Sequence, residues 1–253
     1  MKAMILAAGL GTRLRPLTDR RPKALVELGG RTLLEITLER LRGFGITDVV
    51  VNAHHFAEMV AEYLRAHDNF GMHIEISREE ELLDTGGGLK KAAEFFLRDA
   101  EDEPFVMHNV DVLSSIDLLE MARLHGEHGA LATLAVMRRV SSRQLLFDSE
   151  GCLCGRHTAG VAAEMARAVD AAEELAFCGV QVLSPKIFAR MDEASAFSIV
   201  PTYLRLAAEG AKVLAWRADA CYWRDVGTEQ SLRQAAEELQ RNDLKQWAGE
   251  GVN

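Results

Sequence analysis

No run in the 253-residue chain reaches the ~20 consecutive apolar residues of a membrane-spanning helix, so no membrane association is expected. The apolar run at the start, within MKAMILAAGLG, is too short for a secretory leader and is followed directly by arginines. A cytoplasmic protein is expected. An excess of basic residues is also missing: 29 Lys and Arg stand against 38 Asp and Glu, a net charge of −9. Nucleic-acid and anionic-membrane surfaces need a basic face, so neither partner is expected. Cysteine is scarce. Cys152, Cys154, Cys178 and Cys221 form no CxxC pair, which argues against a four-cysteine zinc site and fits free thiols in a reducing compartment. The chain has no internal repeat, low-complexity tract or linker, and no lysine between Lys91 and Lys186.

What is present is an ordinary globular composition, 48% apolar and 26% charged, with enough length for one large α/β domain over residues 1–253. Strand-like runs alternate with helix-like ones in the first half. Strands are expected at Ala3–Ala8, Asp48–Asn52, Met72–Ser77 and Pro104–His108. Helices are expected at Thr32–Phe44, His55–Ala66, Gly87–Leu97 and Ile116–His125. This succession predicts a doubly wound, mostly parallel, Rossmann-like sheet, with ligands at the carboxyl ends of its strands. In the second half, Ala130–Arg138, Leu175–Leu183 and Lys212–Arg217 read as strands, and Leu145–Asp148 with Cys152–Gly155 as a hairpin. A short helix is expected to end at Met191, and longer ones at Ser198–Glu209 and Thr228–Asn242. Residues 157–172, alanine-rich with mixed charge, read as a short helix or a mobile loop.

Chemistry concentrates in residues 3–23, AMILAAGLGTRLRPLTDRRPK. A buried strand empties into Gly9-Leu10-Gly11-Thr12, followed by Arg13 and, behind Pro22, by Lys23. Successive N–H groups in a glycine turn form an anion nest. Arg13 can fork onto phosphate oxygens, and Lys23 supplies a compact charge. Leu6, Ala7, Ala8 and Gly9 leave room for a base or ribose against the backbone. A Walker A loop fails because Leu14 stands where a glycine is needed. A dinucleotide fingerprint fails at the same position, and the second strand closes on Asn52 rather than an acid. A dehydrogenase is therefore disfavoured.

The pattern that fits is LAAGxGTRLxPLT followed by PK. It resembles the signature of the sugar-phosphate nucleotidylyltransferases, and further segments extend the resemblance across most of the chain. Asn109-Val110-Asp111 matches an Asn-x-Asp segment, with Val110 where the family usually has a small residue. Asp225-Val226-Gly227-Thr228 matches an Asp-Val-Gly-Thr segment. Asp84-Thr85-Gly86-Gly87-Gly88 is similar to a Glu-Thr-Gly-Gly-Gly segment of the short N-acetylmuramate 1-phosphate uridylyltransferase-like subgroup. The resemblance implies a nucleotidyltransferase fold with a nucleotide-binding half (1–130), a smaller β-rich sugar-binding half (131–227) and a C-terminal helix (228–253), with no length left for an appended β-helix acyltransferase domain.

It also implies a reaction: an NTP, expected to be UTP from the glycine triplet alone, and a sugar 1-phosphate give an NDP-sugar and pyrophosphate. The roles implied are catalysis by Arg13, Lys23, Asp111 and Asp225, with Mg2+ held by Asp111 and Asp225. Nucleotide contacts fall to Leu6, Ala7, Ala8, Gly9, Gly11, Thr12, Arg13 and Lys23, and base contacts to Gly86, Gly87 and Gly88. Sugar contacts fall to His54, Asn109 and Gly179. Relatives also present a glutamate and a second lysine to the sugar phosphate. Here Glu164, Glu173 and Glu174 are available but no lysine is, leaving Arg156 or Arg167 as substitutes. The bland alternatives are solvated cations for Arg13 and Lys23, cap residues for Asp111 and Asp225, and a surface-loop role for His54 or His55. Other functions in view are cytidylyl transfer to another alcohol phosphate and a non-catalytic nucleotide-sugar sensor. A monomer or small homo-oligomer is expected.

Overall fold

The computed structural model describes residues 1–98 and 102–240. Strand β1 (Ala3–Leu6) leads through two 3-10 turns, Thr12–Leu14 and Lys23–Leu25, into a small hairpin, β2 (Glu27–Leu28) and β3 (Arg31–Thr32). Helix α1 (Leu33–Gly43) follows. The Thr32 hydroxyl caps its first turn, accepting the Glu35 N–H at 3.1 Å. Gly45, at φ 73°, ends it. Then come β4 (Asp48–Ala53), α2 (Ala57–Ala66), β5 (His73–Arg78), α3 (Asp84–Lys91), α4 (Ala93–Leu97) and β6 (Phe105–Asn109). These strands lie in the order β6-β1-β4-β5, every pair parallel.

Helices cover both faces of this sheet, which is why β1 reads as a continuous apolar run rather than an alternating one. Ala3 and Ile5 pack with Leu33, Leu38 and Leu41 of α1 on one face. Met4 packs with Leu89, Phe96 and Tyr203 on the other.

The second half begins with β7 (Val112–Ser114), α5 (Leu118–Glu127) and β8 (Ala132–Met137). It continues with β9 (Arg143–Phe147), β10 (Leu153–Thr158), β11 (Glu164–Met165) and β12 (Glu173–Leu183). It closes with α6 (Ile199–Ala208), β13 (Val213–Arg217), β14 (Trp223–Asp225) and α7 (Glu229–Gln240). Strand β12 joins the halves. Its end is antiparallel to β6 and its start antiparallel to β9. Between them the ladder with β8 shifts register from Phe177 to Gln181, where Gly179 takes φ 73°. Such a bulge re-aims a strand, here from the parallel sheet into the antiparallel β9-β10-β11 unit.

Three expectations change. Residues 157–172 form no helix: β10 runs on to Thr158, the two-residue β11 pairs back on it with Arg156 opposite Glu164, and the rest is turn and loop. Helix α3 starts at Asp84 and is broken from α4 at Ala92, so Gly86 to Gly88 lie inside a helix and not in the loop before it. Strands β7 and β14 are additional, and they pair only with each other. The C-terminal helix is α7 over Glu229–Gln240, and the expected end at Asn242 lies outside the described residues.

Two buried histidines set an acid limit. His108 is fully buried in β6, and His125 of α5 lies 3.0 Å from the Thr133 hydroxyl. Burial lowers each from 6.5 to about 4, and Arg40 adds to the effect at His108. Between those values the unfolded chain binds protons that the folded chain does not. The associated stability is complete above pH 6.5 and is lost as pH falls towards 4. The loss is at most about 3 kcal/mol per histidine. Urea midpoints should fall across this window, and His125→Gln, which keeps a partner for Thr133, should flatten the fall.

Candidate functional site

Leu6 pairs in register with Asn52 of β4 and Asn109 of β6, so these three residues share one level at the carboxyl ends of adjacent parallel strands. Open α/β sheets hold their ligands at such ends. Asn52 is 2% exposed and acts as a splint. Its Oδ1 accepts the N–H groups of Ala7 and Ala8 at 2.7 and 3.3 Å, and its Nδ2 donates to Glu79 Oε1 at 2.7 Å. Those two N–H groups are thus engaged within the protein. The N–H groups of the expected nest, Gly9 through Thr12, make no hydrogen bond among the described residues. Gly11 sits at φ 62°, and a Cβ there would come within 2.8 Å of the Thr18 methyl, so both conformation and space demand glycine. Arg13, Arg15, Arg20 and Arg21 stand exposed on the same loop.

Lys23 reaches from the second 3-10 turn to Asp111, and its ammonium pairs with Asp111 Oδ2. Both are largely buried, with 15% and 8% of the side chains exposed. An unpaired charge there would be costly. Arg13 Nη2 lies 3.8 Å from Asp225 Oδ2 in a more open setting.

The β7–β14 ladder brings the distant aspartates together: Asp225 pairs with Val112, and the Val226 N–H donates to the Asp111 carbonyl at 2.9 Å. The Gly227 N–H in turn donates to Asp225 Oδ1 at 2.6 Å. A Cβ built on Gly227 would lie 2.7 Å from Asp225 Oδ1 and 2.8 Å from both Asp111 Oδ2 and Arg13 Nη2. Two carboxylates and a guanidinium therefore converge on one small space above the Gly227 backbone. A hard divalent cation takes one or two carboxylates and completes its shell with phosphate oxygens and water, so this donor pair fits one. No group of three or more His, Cys, Asp or Glu side chains suited to a metal occurs among the described residues.

Clefts open on either side of this point. One, of about 560 Å³, is lined by Leu6, Ala8, Gly9, Lys23 and Asn109, with Thr85 opposite. On the other side two adjoining clefts of about 910 and 680 Å³ share Arg139, Ser141, Arg143 and Asp225. Gly179 belongs with Asn109: a Cβ at 179 would come within 2.7 Å of the Asn109 amide.

The nucleotidyl transferase family model matches residues 2–145. An N-acetylmuramate alpha-1-phosphate uridylyltransferase from Caulobacter vibrioides is 36% identical over 237 residues, covering 90% of this chain and 93% of that one. The chain belongs to the nucleotidyl transferase family. A UTP–glucose-1-phosphate uridylyltransferase from Synechocystis sp. is 40% identical over 143 residues, 53% of this nucleotidyltransferase but 36% of the relative. Among solved structures, a putative glucose-1-phosphate thymidylyltransferase from Bacillus anthracis superposes with a TM-score of 0.76, covering 94% of each chain at 18% identity. That likeness is one of fold.

Other expected site residues of this nucleotidyltransferase stand elsewhere. The Gly86 and Gly87 N–H groups both donate to the Phe197 carbonyl, at 2.9 and 3.2 Å. Added Cβ atoms would strike the Phe197 ring at Gly86, the Ser195 carbonyl at Gly87, and Glu79 and Asn52 at Gly88. The triplet lets α3 pack tightly against the 195–197 loop and the Asn52–Glu79 bridge. It does not present its N–H groups to a base, and Leu82, Asp84 and Thr85 line the cleft instead. The His54 ring is tied to the Glu79 carbonyl at 2.9 Å and lines none of these three clefts. Arg156 borders the cleft of about 680 Å³ but is paired with Glu164 at 2.6 Å. Arg167 is held by Asp148 and by the carbonyls of Leu153 and Cys152. Asn52, Glu79, Arg139 and Gly227 were not singled out by sequence, although Gly227 lies inside the Asp-Val-Gly-Thr segment.

Gly227→Ala should place a methyl between the charged groups and displace side chains rather than backbone. Turnover, read as pyrophosphate release, should fall on the order of 10²-fold, the scale of a 1 Å misplacement, with the thermal midpoint nearly unchanged.

Proposed function

We propose that this nucleotidyltransferase transfers the uridylyl group of UTP to N-acetylmuramate α-1-phosphate or a closely similar sugar 1-phosphate, with Mg2+ held by Asp111 and Asp225. The observation that carries the reading is the convergence of Asp111, Asp225, Lys23 and Arg13 at the boundary between the two sets of clefts. The match along nearly the whole length of the Caulobacter uridylyltransferase supports this choice of nucleotide and sugar. So does Arg143 in the sugar-side cleft, since muramate carries a carboxylate.

In this reading the triphosphate lies along Leu6, Ala8 and Gly9. Its terminal phosphates meet the free N–H groups of Gly9 to Thr12 and the Arg13 guanidinium. Lys23 turns part of its charge from Asp111 to the α-phosphate. Mg2+, when bound, offsets the repulsion between the two phosphate groups. An oxygen of the sugar phosphate forms a bond to the α-phosphorus as the bond to the bridging oxygen of pyrophosphate breaks. No covalent enzyme intermediate is required, so positioning and charge stabilisation carry the rate. Asn109, beside Gly179, faces the seam where the sugar would enter.

Pyrophosphate release measured with each of the four NTPs against N-acetylmuramate, glucose and mannose 1-phosphates tests the assignment. UTP with the muramate substrate should give the highest kcat/KM, and turnover of no sugar 1-phosphate would sink it. Lys23→Ala should lower kcat by about 10²- to 10³-fold, the scale for losing a donor aimed at developing charge. Asp111→Asn and Asp225→Asn should each cripple Mg2+-dependent turnover while leaving circular dichroism intact, and full activity in both would remove the metal assignment.

A further inference from the structure

We propose that Arg139 is the cation that receives the phosphate of the incoming sugar 1-phosphate, the place for which the chain supplies no lysine. The inference rests on the sugar 1-phosphate reading above and assigns a residue to its second substrate. The stretch between Lys91 and Lys186 has no lysine at all. The two arginines that sequence offered as substitutes, Arg156 and Arg167, already have carboxylate partners in Glu164 and Asp148. Arg139 does not.

Arg139 follows β8 and enters both sugar-side clefts, where Asp225 is a common wall. Its guanidinium lies 4.2 Å from the centre of the Trp223 ring. One Nη2 hydrogen bond runs to the Phe177 carbonyl at 2.9 Å. Its Nε is buried and has no partner, and Arg139 forms no ion pair with a carboxylate among the described residues. Burial acts against its charge, and Asp225 nearby counters that. A guanidinium has five N–H donors in a rigid plane, and here most of them lack an acceptor.

The support beneath it is specific. Trp223 begins β14, and its indole N–H donates to the Cys178 carbonyl at 2.8 Å. Phe177, which accepts from Arg139, lies at the start of the β12 bulge. The strand that delivers Asp225 therefore also carries the ring on which Arg139 rests. A flat cation held by stacking and one backbone acceptor keeps its remaining donors for a phosphate. Its position beside Asp225, in a cleft that Arg13 also lines, suits an anion that must meet the α-phosphate next to the two carboxylates.

The test measures pyrophosphate release by the wild-type enzyme, Arg139→Gln and Arg139→Lys, varying UTP and N-acetylmuramate α-1-phosphate separately. Arg139→Gln should raise KM for the sugar phosphate by about 10- to 100-fold, the range for losing a hydrogen bond to a charged group. KM for UTP should stay within about twofold, as expected when only one substrate loses a contact. Arg139→Lys, which keeps the charge, should lose less. Equal changes in both KM values, no change in either, or a loss as large in Lys as in Gln with a lowered thermal midpoint would overturn the proposal. Should the wild type turn over no sugar 1-phosphate, the functional reading fails by itself. Calorimetric titration with inorganic phosphate then decides Arg139: weaker binding to Arg139→Gln than to wild type supports an anion receptor, and equal binding overturns it.

Discussion

The three-residue ladder between β7 and β14 is the constraint on which the site depends. Asp111 and Asp225 are far apart in the chain, and each carries an uncompensated charge unless the other elements of the site are in place. Backbone hydrogen bonds solve the problem without side-chain specificity. Trp223, Arg224 and Asp225 pair with Ser114, Leu113 and Val112, and the Val226 N–H extends the pairing to the Asp111 carbonyl. Ser115 and Tyr222 close the other end, the Ser115 N–H donating to the Tyr222 carbonyl at 3.0 Å and the Ser115 hydroxyl accepting the Tyr222 N–H at 2.9 Å. A slip of one residue would turn Asp225 to the opposite face. The short ladder therefore fixes the geometry of the carboxylate pair more tightly than its length suggests.

Beside it, the buried Asn52 and Glu79 are matched to one another and to the backbone. Asn52 uses both ends of its amide, one for the strand-to-turn N–H groups and one for Glu79. Glu79 uses its second oxygen for the Leu83 N–H at 3.0 Å. A continuous hydrogen-bonded path thus runs from the glycine turn through β4 to the start of α3, and Gly88 permits it by leaving no Cβ in its way. Such fully satisfied networks rigidify a site, whereas a half-satisfied one would weaken it.

The sequence was most legible where function is written contiguously. Leu6 to Lys23 supplies strand, turn and two cations in one stretch, and the parallel half of the sheet follows from alternating periodicities. Strands β7 and β14 were invisible because three residues are too few to display a period of two, and their pairing is non-local. The glycine triplet carries two readings for a physical reason: a loop that approaches a base and a helix that packs tightly on a neighbouring loop both require missing side chains, and only the packing of Gly86 and Gly87 on Phe197 is visible in the fold. In the alanine-rich 157–172 region only the end of β10 and the two-residue β11 are strand, and their pairing of Arg156 with Glu164 is a contact that no short local window displays. Arg139 went unnoticed because, although the missing lysines can be read from the sequence, its lack of a carboxylate ion pair and its seat on Trp223 are seen only in the fold.

The exposed arginines of the glycine-turn loop have a kinetic consequence. The chain as a whole carries a net charge of −9 and would repel a nucleoside triphosphate at long range. On the glycine-turn loop Arg15 and Arg21 are paired with Asp19 and Glu27, so Arg20, with Arg13 beside Asp225, is what an approaching anion meets within a Debye length of the surface. The local field at the loop then offsets the total charge in part. Ionic strength acts in two directions, relieving the distant repulsion while weakening the attraction close in.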